Sequence, residues 1–136
     1  MKTYLIFNLN DDFFAINVDY VKNIMKTTKI TSIPKTPSYI KGTIDYMNEP
    51  VLTIDTCQLM DINKNINTYK YIIICDILFD NYNKKIALLV DDVNVVKDID
   101  NNEIMINNKF MNNLIIGTYQ DEKKLIFILN PNKILF

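Results

Sequence analysis

The residue types that most often carry chemistry are scarce in this sequence. There is no histidine, which removes the usual general base and the commonest metal ligand. All fifteen basic residues are lysines, so no guanidinium fork exists to clasp a phosphate or carboxylate in bidentate fashion. The two cysteines, Cys57 and Cys75, fit no zinc or CxxC spacing and sit in apolar surroundings, where buried structural thiols are expected. Asp91 and Asp92 are adjacent on a strand-like run. Their side chains therefore point to opposite faces and cannot converge on one cation, which leaves a solvated strand junction. Asp98, Asp100 and Glu103 lack the glycine and the regular oxygens of a calcium loop and read as a charged loop. No Gly-rich phosphate loop, GxSxG or HExxH occurs. These residues predict no enzyme activity, no metal and no cofactor.

The elements around them are mostly strands. Thr3 to Leu9 is apolar on both alternating faces, and after Asn10-Asp11-Asp12 the chain returns along Phe13 to Val18 as a hairpin. Asp19 is placed to cap a short helix whose stripe is Tyr20, Val21, Ile24 and Met25. A short strand, Lys29 to Ile33, leads into a connector fixed by Pro34 and Pro37. Tyr39 to Met47 and Val51 to Ile54 form a second hairpin around a corner at Asn48-Glu49-Pro50, with Gly42 marking a close approach of backbones. Asp55 caps a short helix, and the polar run Asp61 to Thr68 is the seam between two halves.

The second half follows the same style without a detectable repeat. Tyr69 to Phe79, Lys85 to Val90 and Val93 to Val96 read as strands, with a hairpin loop over Asp80 to Lys84. Lys97 to Asn113 is a long polar loop anchored by Ile104, Met105 and Ile106. Leu114 to Tyr119 and Lys124 to Leu129 make a last hairpin, and Asn130 with Pro131 starts a closing helical turn. Strands this short and evenly spaced predict an all-β fold with short helices, as barrels or a sandwich, and the runs apolar on both faces favour two small barrels that share a core.

The totals agree. At 136 residues, 49% hydrophobic and 23% charged, the chain reads as a single globular domain over 1–136. A net charge of −1 supplies no global field for nucleic acid, so stacking by Tyr69-Lys70-Tyr71 gives way to core or interface packing. No apolar run approaches the roughly 20 residues that span a bilayer, and no leader pattern is present. A cytoplasmic protein with no membrane insertion is expected.

In order and spacing, these stretches resemble the CheW-like domain of bacterial chemotaxis coupling proteins, over nearly the whole chain. The resemblance rests on Phe7-Asn8-Leu9, on Ala15 to Val18, on the V-x-x-I of Val21 to Ile24, and on the run Ile30 to Pro34. Its most specific part is Pro37 to Ile44, leading into Val51 to Asp55. It continues through Leu89 to Val93, Ile115 to Gly117 and Ile128 to Leu135. It implies two intertwined five-stranded barrels over a common core and a non-catalytic adaptor. The implied partners are the regulatory domain of the histidine kinase CheA and the cytoplasmic tip of methyl-accepting chemoreceptors. Self-association, or rings with other members of the family, is also implied, at receptor arrays beneath the membrane.

The residues assigned to a receptor groove by this resemblance are Val21, Asn23, Ile24, Ile44, Met47 and Asn48; Gly42, Ala87, Asp91 and Gly117 are assigned to the kinase interface or to the fold. The chain departs from the family pattern at several of them. Asp45-Tyr46-Met47-Asn48 stands where Asn-Leu-Arg-Gly is usual, and Asn23 stands where a glutamate is usual, so both charges are absent. Ala87 and Asp92 stand at glycine positions. A diverged member serving particular receptors is the implied reading. Alternatively, Asn23 and Met47 are ordinary surface positions and the apolar groove holds the partner. Ile44 fits either groove or core. A self-assembling structural subunit that binds the kinase domain or itself, but not receptors, is the competing function.

Overall fold

The computed structural model describes residues 1–64, 68–106 and 113–135. Among them lie eleven strands: β1 Lys2–Leu9, β2 Asp12–Asn17, β3 Val21–Lys26, β4 Ile40–Tyr46, β5 Glu49–Asp55, β6 Tyr71–Phe79, β7 Tyr82–Val90, β8 Asp92–Ile99, β9 Met105–Ile106, β10 Ile115–Asp121 and β11 Lys124–Leu129. The helical pieces are one turn of α-helix, α1 Thr56–Leu59, and 3-10 turns at Val18–Tyr20, Asn101–Glu103 and Pro131–Lys133.

The strands form a six-stranded sheet in the order β8-β1-β2-β11-β10-β9 and a five-stranded sheet in the order β3-β6-β7-β5-β4. In each, a hairpin (β1–β2 or β6–β7) lies parallel to the final strand of a second hairpin (β11 or β5). Neither sheet belongs to one half of the chain. The first hairpin of each half is completed by strands from the other half, so β3 flanks β6 and β8 flanks β1. Among the described residues, the hydrogen bonds trace the two expected barrels as sheets of six and five strands.

Three apolar clusters explain why these strands stay together. Leu5, Phe7 and Ile16 of one sheet meet Ile54, Ile73, Ile86 and Leu88 of the other in a shared core. Tyr4, Ile6, Ala15, Tyr119, Ile126 and Ile128 fill the other face of the six-stranded sheet, and Ile44, Val51, Ile72, Ile74, Ala87 and Leu89 that of the five-stranded sheet. Both faces of β6 are therefore dry over Ile72 to Cys75, which is why that stretch reads as an unbroken apolar run. Each such isoleucine contributes about 1.5–3 kcal/mol by leaving water. The two free cysteines are buried, as expected, and burial raises both thiol pKa values.

Several local expectations are corrected. The helix over Tyr20 to Met25 is absent. Asn17, not Asp19, caps a 3-10 turn by accepting from the Asp19 N–H, and Val21–Lys26 is strand β3, paired with β6. A V-x-x-I stripe covers too few turns to outweigh a full ladder of sheet bonds. The strand at Lys29 to Ile33 reduces to a single bridge, Thr31 with Thr43. The hairpin corner is Met47-Asn48, both with positive φ, and Pro50 sits inside β5 opposite Asp45. The loop at Asp80 to Lys84 is the two-residue turn Asp80-Asn81, with β7 already begun at Tyr82. The long loop is shorter than expected, because β8 runs to Ile99 and Asp100 with Glu103 forms a capping box. Ile104 packs on the core there, but Met105 and Ile106 are exposed. Residues 107–112 of that stretch lie outside the described residues.

Candidate docking surface

Among the described residues, no group of three or more potential metal ligands converges, and no helix is long and apolar enough to cross a membrane. The exposed strand edges and hairpin tips carry several of the residues that the family resemblance singled out.

Strand β3 is one edge of the five-stranded sheet and presents Val21, Asn23 and Ile24. Its register with β6 slips between Val21 and Asn23, so Lys22 is the bulged residue and turns toward Asp76, with 4.0 Å between charges. Ile24 is 40% exposed, and the Asn23 carboxamide oxygen accepts from the Ile24 N–H at 2.8 Å. Met47 and Asn48 form the turn at the end of β4, the opposite edge strand, and Met47 is 78% exposed. Three strands separate positions 23 and 47, so the two substituted residues are not a bonded pair within the sheet. Ile44, assigned to the same groove, is 1% exposed in the core of this sheet. Its side chain packs in the sheet's core with Val51, Ile72 and Leu89. The structure thus places Val21 and Ile24 on one face of β3 and Asn23 on the other, and leaves Met47 and Asn48 on a separate tip.

The second group is structural in placement. A Cβ at Gly42 would overlap the carbonyl of Thr31, whose carbon would lie 2.7 Å away, and φ there is +151°. Side chains rarely adopt that backbone region. Gly117 meets Met105 of β9 in the same way, with the carbonyl carbon 2.9 Å from an added Cβ. Ala87 is fully buried beside Ile44 and Leu89.

Asp91 is not a plain solvated junction. Its carboxylate accepts from the Asn10 backbone N–H at 2.5 Å and is ion-paired with Lys64, whose side chain is 13% exposed. Lys64 also lies over the Tyr69 ring at 3.6 Å. Tyr69 donates its phenolic hydrogen to Asp55, and Asp55 in turn caps α1 by accepting from the Gln58 N–H at 3.2 Å. Burial, reinforced by the bond to Asp55, pushes the Tyr69 hydroxyl up, and burial lowers Lys64. A cavity of about 280 Å³ lies here, lined by Asp55, Cys57, Gln58, Ile62, Asn63, Lys64 and Tyr69. Sequence reasoning saw the Asp55 cap but missed the clasp of Lys64, Asp91 and Tyr69. A lone lysine in an otherwise amide-rich connector was the available signal.

Comparison with known proteins agrees with this architecture. The CheW-like domain model matches residues 3–136. No curated protein matches the chain by sequence. Among solved structures, the crystal structure of the scaffolding protein TtCheW from Thermoanaerobacter tengcongensis is similar with a TM-score of 0.86 at 26% identity, covering 99% of this chain and 88% of that one. With the match spanning nearly every residue, and with paired sheets and buried glycines where the motifs placed them, the chain belongs to the CheW-like domain family.

Proposed function

We propose that this chain is a non-enzymatic adaptor coupling chemoreceptors to the histidine kinase CheA in bacterial chemotaxis arrays. The observation that carries the reading is the family match over residues 3–136, joined by likeness to a scaffolding protein. The exposed edge β3 supports it. An edge strand with a half-exposed isoleucine suits a surface built for another chain. On this reading the receptor's cytoplasmic tip lies against β3 and the β4–β5 tip, through Val21, Ile24 and Met47, and the kinase regulatory domain docks sheet against sheet.

The test is a titration of the purified protein against the kinase regulatory domain and, separately, a receptor-tip fragment from the same genome. Saturable binding to both is expected. Binding to the kinase domain alone would recast the chain as a structural subunit that fills arrays, and binding to neither would end the adaptor reading. Asn23→Glu with Met47→Arg is expected to strengthen binding to a conventional receptor tip. Because three strands separate the two positions, the single substitutions should add. Unchanged binding in the double variant would assign the contact to Val21 and Ile24.

A further inference from the structure

The net charge of −1 conceals a strong asymmetry. Residues 20–44 hold five lysines (22, 26, 29, 35 and 41) and no acid, while the rest of the chain sets ten lysines against all sixteen acids, giving +5 in the one stretch and −6 elsewhere. The register of the five-stranded sheet gathers part of this charge at one end. Lys26 pairs with Tyr71, which follows Lys70 in the chain, and Tyr71 pairs with Val90. At the same end Leu89 pairs with Asp55, and Ile54 pairs with Ile40, the neighbour of Lys41. The Thr27 N–H donates to the Lys70 carbonyl at 3.0 Å, and from there the chain carries Lys29 to the Thr31 bridge beside Gly42.

Among the described residues, Lys26, Lys29, Lys41 and Lys70 reach no carboxylate within 4.0 Å, the ion pairs being made by other groups. Asp55 and Asp91 are already engaged, the first with Tyr69 and the α1 cap and the second with Lys64 and Asn10. Between the lysines is a hollow of about 210 Å³ lined by Thr27, Ile30, Lys41, Thr68, Tyr69 and Leu89. Its wall is largely apolar and its surroundings are cationic.

We propose that this end of the five-stranded sheet docks an acidic segment of a protein partner, one that offers an apolar side chain to the hollow and Asp or Glu to Lys26, Lys29, Lys41 and Lys70. The uncompensated charge selects an anionic partner, and the apolar wall selects a protein side chain over a phosphate backbone or a lipid headgroup. Because lysines act as point charges without a directional fork, the contact sets association rate and partner choice more than orientation. The inference deepens the adaptor reading and rests on it for the partner's identity: of the coupling partners, the one that docks here carries the acidic segment.

The test is a variant carrying Lys26→Gln, Lys29→Gln, Lys41→Gln and Lys70→Gln, with its thermal transition compared with that of the wild type to establish folding. Each protein is titrated at low and at physiological salt against the receptor-tip fragment and the kinase regulatory domain. A synthetic peptide with a leucine flanked by glutamates, its glutamine counterpart, phosphatidylserine vesicles and a single-stranded oligonucleotide serve as probes. At low salt, the variant is expected to bind one coupling partner at least tenfold more weakly, mainly through the association rate, and to lose most of the salt dependence. The wild type is expected to prefer the glutamate peptide to the glutamine peptide. Unchanged affinity and salt dependence in the variant would overturn the proposal while leaving the adaptor reading intact. So would tighter binding of vesicles or oligonucleotide than of the acidic peptide. If neither coupling partner binds the wild type, the adaptor reading fails, and the peptide pair alone decides this surface.

Discussion

The turn that follows β5 and the turn that follows β11 occupy equivalent places in the two sheets and are sealed in different ways. After β5, Asp55 caps α1 through the Gln58 N–H and takes the Tyr69 hydroxyl hydrogen, while Lys64 bridges Tyr69 and Asp91. After β11, the 3-10 turn at Pro131–Lys133 starts from Asn130 without a side-chain cap bond. There Asn132 does the holding, accepting from the Leu78 N–H at 2.8 Å and donating to the Tyr20 hydroxyl at 3.3 Å. The correspondence extends to the glycines. Gly42 and Gly117 each follow an Ile-x pair and precede a threonine, and each takes a crossing backbone at van der Waals contact. The spacing of 75 positions is the same from 42 to 117 as from 55 to 130. The difference teaches that the fold repeats through glycines and apolar faces, while of the two turns only the one after β5 is sealed by charged groups. That end of the sheet also carries the unpaired lysines.

The largest expected effect tests whether the glycines are equivalent. Gly42→Ala places a side chain both in a forbidden backbone region and against the Thr31 carbonyl, and should cost roughly 3 kcal/mol or more in urea unfolding. Gly117→Ala faces the steric conflict alone and should cost about 2 kcal/mol. Equal losses would show that φ at Gly42 carries no strain of its own.

Alkaline pH separates the two seals next. Tyr69 is raised in the folded state by burial and then by its bond to Asp55, so the stability tied to its neutral form is fully present below the ordinary tyrosine value of about 10. That stability is lost as pH rises above it, at up to about 1.4 kcal/mol per pH unit. Burial of Cys57 and Cys75 starts the decline near the ordinary thiol value of about 8.5. Tyr69→Phe should lessen the fall above pH 10 and leave the portions owed to the thiols and to the buried Tyr4, as read from melting temperatures across pH 7 to 11. An unchanged slope would remove Tyr69 from the account.

The charged clasp should respond to single substitution more gently. Lys64→Met leaves Asp91 with the Asn10 N–H alone and should cost about 1 kcal/mol, a value discounted because both groups keep some contact with water. The loss should shrink in high salt. Asn132→Ala, which removes a neutral amide at the equivalent turn, should cost at most about 1 kcal/mol with no salt dependence. A salt-dependent loss in Asn132→Ala would break the contrast between the two seals.

Much of this was readable from residue order. The approach of backbones at Gly42, the Asp55 cap, the Asn130–Pro131 turn and the buried thiols are local or compositional, and each stands as expected. Strand β3 was misread because V-x-x-I satisfies helical spacing over so short a run, while the ladder that claims it comes from β6, about fifty residues later in the chain. The clasp stayed hidden because Lys64, Asp91 and Tyr69 meet only through tertiary structure. The β4–β5 corner is expected at Asn48-Glu49-Pro50, yet Met47 and Asn48 carry the positive φ values. Asparagine enters this region readily, so Asn48 fits, while methionine rarely does and Met47 gives no such signal.

The exchange of strands between halves has a consequence for how the molecule is made. The first hairpin, β1–β2, finds its parallel neighbour β11 only when the last strand has been synthesised, and β3 waits for β6. Loop closure on this scale is slow, so the chain should fold late and in a single cooperative step. A break in the connector between β5 and β6 would leave each fragment with hairpins lacking their neighbours. Mixed together, however, the two fragments hold every strand of both sheets. The protein should therefore be recoverable by co-expression of its halves, turning one polypeptide into an obligate heterodimer with the same surface.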